Sequence, residues 1–177
     1  MGKAKRPRQV KLLIGMLTKN KLLFDSVEEF FIKLFGKIDY KSPVLPFTHT
    51  DYYKKEMGAP LERQFVSFRK LIHPKDLPKI KIATNSLEEK LSKKEKGSTK
   101  REINIDPGYI SDSKLVLATT KNYFHRIYLD KGIYAEVTLT WKKGGFKPFD
   151  WTYPDYKTEE YIDILNSIRN AYMREWK

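Results

Sequence analysis

The chain has 177 residues, 40% hydrophobic and 14% aromatic, enough apolar material for one folded domain with a real core and too much for a disordered chain. It has no cysteine, which excludes disulfide partners, thiolate metal sites, cysteine nucleophiles and thiol redox cofactors, and fits a reducing compartment. The net charge of +13 is uneven, with +5 in residues 1–11, +4 in residues 92–101 and +4 in the rest, so a basic flexible tail at 1–9 and a basic surface loop at 92–101 hold most of the excess. Such segments can hold phosphates without sequence preference, or be a lysine-rich solvated surface of the kind common in thermophiles. No apolar run approaches the roughly 18 residues that a membrane span needs. MGKAKRPRQV lacks a signal-peptide core, and Arg6 breaks the myristoylation pattern, so a soluble cytoplasmic protein with no membrane partner is expected.

In chain order, VKLLIGMLT (10–18) is a nearly continuous apolar run that predicts a strand buried on both faces. From Asn20 to Gly36, Phe24, Val27, Phe30, Phe31, Leu34 and Phe35 recur at helical spacing; Ser26 and Glu29 have capping-box spacing, which would start the helix later than Asn20, and Gly36 is a natural stop. KSPVLPF (41–47), with two prolines, reads as an edge strand or extended connection, and QFVSFRKLI (64–72) as a strand. Pro74 and Pro78 punctuate a short connection, and SLEEKLSK (86–93) opens the next helix. The loop KKEKGSTK leads to the strand REINID (101–106). TEEYIDILNSIRNAYMREWK closes the chain as an amphipathic helix, with Tyr161, Ile164, Leu165, Ile168, Tyr172 and Trp176 on one stripe. The expected fold is therefore a single α+β domain over 10–177, a sandwich on a mainly antiparallel sheet with about three helices. A ferredoxin-like β-α-β-β-α-β core with an added β-hairpin is its best topology.

The hairpin lies in NYFHRIYLDKGIYAEVTLTW (122–141). A two-residue turn at Lys131-Gly132 would pair Ile127 with Glu136, whereas a three-residue loop, Asp130 to Gly132, pairs Ile127 with Ala135 and Arg126 with Glu136. The second keeps apolar residues on one face and is preferred. Arg126 and Glu136 then face each other on a polar side flanked by Tyr128, Tyr134 and Thr138, and His125 falls on the apolar side near Val137. An arginine–glutamate pair of this kind can be a simple cross-strand ion pair, and an apolar-face histidine a hydrogen-bonded core residue.

The stretch NIDPGYISDSK (104–114) raises the question of what its polar residues are for. Asp106-Pro107-Gly108-Tyr109 satisfies a type II turn, with proline second and glycine where φ must be positive. That reading is purely structural. The functional reading is that the turn delivers Asp106, Tyr109 and Lys114 to the polar face of Arg126 and Glu136, where Asn104 would join them.

Taken together and in order, VKLLIGML, TDYYKKEMG (50–58), NIDPGYI (104–110), KLVLATTK (114–121), HRIYL (125–129), GIYAEVTL (132–139) and WTYPDY (151–156) make the chain resemble an uncharacterised bacterial family, the domain of unknown function 4416. The resemblance implies a single-domain cytoplasmic protein. Similar proteins are sometimes labelled GTP-binding, which these residues do not support. A P-loop needs Gly-x-x-x-x-Gly-Lys-Ser/Thr, but Gly36-Lys37 is followed by Ile38 and preceded by Phe31 at the first glycine position.

Zinc is not expected from three scattered histidines, His49, His73 and His125, although Asp106, Glu136 or Asp155 could hold magnesium. Two function classes remain. One is a binding protein for a phosphate-bearing ligand, nucleotide or RNA, using Asn104, Tyr109, Lys114, Lys121, Arg126, Asp155 and Tyr156; here Tyr52, Tyr53, Trp151, Tyr153 and Tyr156 offer aromatic faces for stacking, or only packing. The other is a small enzyme on an anionic substrate, with Asp106, Glu136 or His125 as the catalytic acid or base and Arg126 and Lys114 holding the anion.

Overall fold

Strand β1, Lys11–Thr18, is buried along all eight residues. Leu12, Ile14 and Met16 pack to one side, and Leu13 and Leu17 to the other. A run that is apolar at both parities can only sit where both faces of a sheet are covered. In the computed structural model, which describes residues 1–95 and 98–175, β1 is followed by α1 (Leu22–Phe35), β2 (Ile38–Lys41), β3 (Leu45–Phe47), the single turn α2 (Lys54–Met57) and β4 (Leu61–Phe68). Next come α3 (Leu77–Leu91), β5 (Lys93–Glu95), β6 (Ser98–Lys100), β7 (Ile103–Ile110) and β8 (Lys114–Thr119). The chain continues through β9 (Arg126–Asp130), β10 (Ile133–Lys142), β11 (Gly145–Pro148) and α4 (Glu159–Arg174).

Nine strands form one antiparallel sheet in the order β11-β10-β8-β7-β1-β4-β2, with β3 also on β4 and β9 also on β10. The segment threaded β1-α1-β2-β4-α3-β7 has the strand order β7-β1-β4-β2, which is the 4-1-3-2 order of a ferredoxin-like core. Helices α1 and α3 cover one face through Phe24, Val27, Phe31, Ile80 and Leu87. Helix α4 covers the other through Tyr161, Ile164, Leu165 and Ile168, with Thr158 capping its first turn. The expected α+β sandwich is therefore the fold, and the addition to the core is larger than one hairpin. Trp176 of the predicted stripe lies outside the described residues. No helix among the described residues is long and apolar enough to cross a membrane.

Several local expectations change. Ser26 is inside α1, donating to the Leu22 carbonyl at 3.0 Å, while the Asn20 side chain accepts from the Leu22 N–H at 3.2 Å and opens the helix. Helix α3 begins nine residues before Ser86, because Pro78 stands in its first turn, where a missing N–H has no intrahelical partner to lose. Residues 92–101 are a loop only in part, since β5 and β6 pair as a small hairpin. Lys11, one of the five bases counted in residues 1–11, lies in β1 as expected of 10–18, where it is fully buried, bonded to Asp39 and, at 2.8 Å, to Glu175.

The largest change concerns Asp106-Pro107-Gly108-Tyr109, which is strand and not turn: β7 runs straight through it, opposite Leu12 to Gly15 of β1. The turn comes later, at Ser111-Asp112-Ser113, where the Ser111 N–H donates to the Lys114 carbonyl at 2.9 Å. Pro107 lies beyond the β7–β8 ladder, which holds only Gly108 to Ile110, a place where a missing donor is tolerated. Gly108 is required for another reason than positive φ. A Cβ there would collide with the Val116 carbonyl oxygen and come within 2.7 Å of Leu117 Cδ2. Here β8 crosses closest to β7 and then leaves it, and the sheet forks.

The hairpin has the expected register, Ile127 opposite Ala135 and Arg126 opposite Glu136, reached by a different route. Lys131 and Gly132 both take positive φ in a two-residue turn, and a bulge beside Tyr134 supplies the extra residue. The side expected to be apolar is partly exposed, with Ile127 69% accessible on the edge strand, whereas Arg126, Glu136 and Thr138 are buried.

Candidate functional site

The fork in the sheet creates a cavity of about 770 Å³. Below Gly108, residues Ile103 to Pro107 have β1 on one side and, among the described residues, no strand on the other. Helix α3 fills that edge with side chains: the Lys81 ammonium donates to the Ile105 carbonyl at 2.8 Å, and the Glu88 carboxylate accepts from the Ile105 N–H at 2.6 Å. Alternation along β7 then turns Asn104 and Asp106 into the cavity. The segment 47–56, the end of β8 with the residues after it, and residues 153–156 complete the walls.

At one end stands Arg63 of β4, its side chain 3% exposed. The guanidinium lies 5.2 Å from the Phe47 ring centroid and 5.9 Å from that of Phe65. Gly15 makes the space, since a Cβ there would stand 3.3 Å from Nη1. Nη2 donates to Asp155 Oδ2 at 3.3 Å, and Nη1 is 3.6 Å from Asp106 Oδ2, an ion pair longer than a hydrogen bond. Nε and Nη1 have no hydrogen-bond partner among the described residues. The hydroxyls of Tyr156 and Tyr161 beside the guanidinium are likewise buried without a partner in strict hydrogen-bonding geometry among the described residues, although Tyr161 lies close enough for Arg63 to pull its pKa down against burial. Burial opposes the charge on Arg63, but Tyr156, Tyr161, Asp155 and Asp106 outweigh it and hold it firmly protonated. Burial pushes the Asp155 carboxyl up against the pull of Arg63, the Tyr161 hydroxyl up to about 12, and Tyr156 well above its usual value.

In the middle, the Asn104 amide donates to Asp106 Oδ2 at 2.5 Å, and Lys81 stands 3.5 Å from Asp106 Oδ1. Arg101 clasps Glu56 through two bonds of 2.6 and 2.7 Å and reaches Asn104 Oδ1 at 2.9 Å and Glu88 at 3.4 Å. These contacts lower the Glu56 pKa, chiefly through the Arg101 hydrogen bond, while burial raises that of Glu88.

At the far end Arg126 is as buried as Arg63 and has all its nitrogens engaged. Nε donates to Glu136 at 2.9 Å, Nη1 to the Lys121 carbonyl at 3.1 Å and Nη2 to the Tyr153 hydroxyl at 2.8 Å. Glu136 also meets His125 Nε2 at 3.1 Å and the Thr138 hydroxyl at 3.3 Å. His125 is not on the apolar side. It precedes β9 in a turn, where strand alternation does not apply, and stacks on Trp151 at 5.4 Å.

Of the residues singled out in the sequence, Asn104, Asp106, Lys121, Arg126, Glu136, Asp155 and Tyr156 line this one cavity. Tyr109 and Lys114 do not. With β7 continuing as strand they are carried to the opposite end, beside a smaller hollow of about 300 Å³ near Arg8 and Tyr172. His125 stands behind Glu136 and not in the cavity wall. Missed in the sequence were Arg63, Lys81, Glu88, Arg101 and Glu56. Arg63 had a signal: Leu61, Arg63, Phe65 and Ser67 alternate on one face once β4 starts at Leu61. Lys81 and Glu88, seven residues apart, share a face of α3 once that helix starts at Leu77. Among the described residues, no group of three or more histidine or acidic side chains is arranged to hold a metal ion.

A family model described as domain of unknown function (DUF4416) matches residues 8–172, so the chain belongs to that family. No curated protein and no solved structure matches the chain.

Proposed function

We propose that this protein binds a small phosphate-bearing ligand of about nucleotide size inside the forked-sheet cavity, in the cytoplasm, with Arg63 meeting the anion. The observation that carries this reading is the buried guanidinium whose Nε and Nη1 lack partners in a cavity wall. A buried donor left unbonded costs about 1–3 kcal/mol, and an oxyanion with adjacent acceptor oxygens relieves that cost with paired, charge-assisted bonds. The volume suits a drug-sized or nucleotide-sized molecule. Aromatic rings of Tyr52, Tyr53, Tyr123 and Tyr153 along the walls offer faces for a base or sugar.

A second reading, an enzyme acting on the same anionic ligand, is favoured by one observation. Asp155 and Glu88 are carboxyls that burial pushes upward while a guanidinium stands 3.3 and 3.4 Å away, a setting in which a carboxyl can serve as acid or base. Loose RNA binding would instead use the exposed tail, where Lys3, Lys5 and Arg6 stand outside any strand or helix.

Thermal unfolding with AMP, GMP, inorganic phosphate and a poly-uridine RNA separates these readings. The expected result is a rise in melting temperature with a small phosphate compound, lost in Arg63→Met and kept when Lys3, Lys5 and Arg6 are replaced by serine. A response to RNA alone, abolished by the tail substitutions and by salt, would overturn the cavity reading.

A further inference from the structure

The ionic lining of the cavity is close to balanced. Its cations among the described residues are Arg63, Lys81, Arg101, Lys121 and Arg126. Its carboxylates are Glu56, Glu88, Glu89, Asp106, Glu136 and Asp155. Most are already matched: Arg126 with Glu136, Arg101 with Glu56 and Glu88, Lys81 with Asp106, and Arg63 with Asp155. Lys121 is turned to Tyr52, donating to its hydroxyl at 2.8 Å and lying 4.5 Å from the ring centroid. A polyphosphate carrying three or four charges would therefore enter a site with about as much negative as positive charge.

Donor and acceptor capacity is instead divided by place. Uncommitted donors converge at Arg63, beside the Tyr156 hydroxyl. Acceptor capacity stands next to them, on Asp106, which lines the cavity, is 27% exposed and takes one hydrogen bond, from Asn104, with Lys81 at 3.5 Å and Arg63 at 3.6 Å as longer ion pairs. An ionised carboxylate accepts at about four sites, so Asp106 can take hydroxyl or amino donors from a bound molecule. One oxyanion at Arg63 and a donor-bearing body over Asp106 would satisfy both groups together.

We infer that the ligand carries a single terminal oxyanion, a phosphate monoester or a carboxylate, on a body rich in hydroxyl or amino donors, and is not a nucleoside triphosphate or a nucleic acid strand. The inference rests on one part of the reading above, an anion met by Arg63 in the cavity, and takes in monophosphorylated sugars, nucleoside monophosphates and their carboxylate counterparts. Arg63 fixes the anion, and Asp106 selects for the donors beside it.

The test is calorimetric titration of the full chain with four groups of probes. These are ribose 5-phosphate, glucose 6-phosphate, AMP and GMP; the matched acids ribonate and gluconate; ATP and GTP with magnesium; and ethyl phosphate, which has the anion without the donors. At least one probe of the first two groups should bind tenfold or more tighter than the triphosphates and than ethyl phosphate. Arg63→Met should abolish that binding, and Asp106→Asn should shrink the preference over ethyl phosphate to within threefold. Binding by a sugar acid but not its phosphate would support the inference and overturn the phosphate reading. Tighter binding of a triphosphate, lost in Arg63→Met, would overturn the inference and leave the cavity reading standing, as would equal binding of ethyl phosphate. No heat with any probe, or binding indifferent to Arg63→Met, overturns both.

Discussion

Arg126 and Arg63 are both buried guanidiniums in the wall of one cavity, with side chains 2% and 3% exposed, and they are bonded differently. Arg126 gives each of its nitrogens a partner, and those partners come from β10, from the segment after β8 and from the segment after β11. It fastens together three pieces of chain. Arg63 has one nitrogen bonded and two without a hydrogen-bond partner among the described residues, with aromatic rings around it and a glycine making room. A saturated buried charge is a structural joint; the proposed function makes the unsaturated one in the cavity wall the anion's partner. The difference lies in the neighbours, not in the residue type or the depth of burial.

The sharpest way to break this contrast is to remove each guanidinium in turn. Arg126→Met leaves Glu136 buried with only His125 and Thr138 beside it, and loss of about 3–5 kcal/mol is expected in urea unfolding. Arg63→Met should lose about 1 kcal/mol, because it also removes unpartnered buried donors and because burial already pushes Asp155 toward its neutral form. It should nevertheless erase the ligand response. Equal stability losses for the two variants would end the distinction.

An intermediate effect is expected at the pivot of the fork. Gly108→Ala places a methyl against the Val116 carbonyl and the Leu117 side chain, so β8 must shift, at about 2–3 kcal/mol in the same unfolding assay. Ligand affinity should fall along with stability, since Leu117 and Ala118 carry the wall of the cavity. Glu136 stands opposite Leu117 in the β8–β10 ladder, and Arg126 holds the Lys121 carbonyl just after β8, so Arg126→Met and Gly108→Ala should be non-additive in the double variant. Additivity within about 0.5 kcal/mol would mean that the fork and the joint are independent.

The smallest effect is a pH dependence that sharpens the description of the middle of the cavity. Burial raises the Glu88 carboxyl above its ordinary 4.5, ahead of the opposing pull of Lys81. The folded chain then holds a proton there that the unfolded chain has released. The contribution of this group to stability is thus full below pH 4.5 and declines as pH rises from 4.5 through the raised value. Glu88→Gln keeps an acceptor for the Ile105 N–H and lacks the titration. Wild type should therefore lose stability relative to Glu88→Gln as pH rises across that window, read from unfolding midpoints. The opposite slope would show that Lys81 and Arg101 outweigh burial.

Much of the fold was legible because it rests on patterns local to a few residues. The double-parity apolar run of 10–18 pointed to an interior strand, and the stripe from Tyr161 to Tyr172 to a helix packed on one side, and both are found. The Arg126–Glu136 register followed from keeping apolar residues together, although a turn with a bulge and not a three-residue loop produced it. The site was legible in part. Asn104, Asp106, Arg126 and Glu136 were named from strand alternation and do share one cavity, but Tyr109 and Lys114 were drawn in by a turn that is not there.

Asp-Pro-Gly-Tyr shows where the boundary falls. By its own backbone preferences that tetrapeptide is a turn, and nothing within it says otherwise. It is strand because β1 pairs with it along its whole length, and its glycine is needed by the β8 backbone crossing above it. Strand pairing between residues nearly a hundred positions apart overrode a local preference worth far less than the ladder it completes. The same limit applies to Arg63. Composition and periodicity decided that this chain is an α+β domain with a buried central strand and a closing amphipathic helix, because those follow from which side chains leave water. Which arginine would be left with unpartnered donors was decided only by the tertiary structure, because hydrogen-bond saturation depends on neighbours brought from every part of the chain.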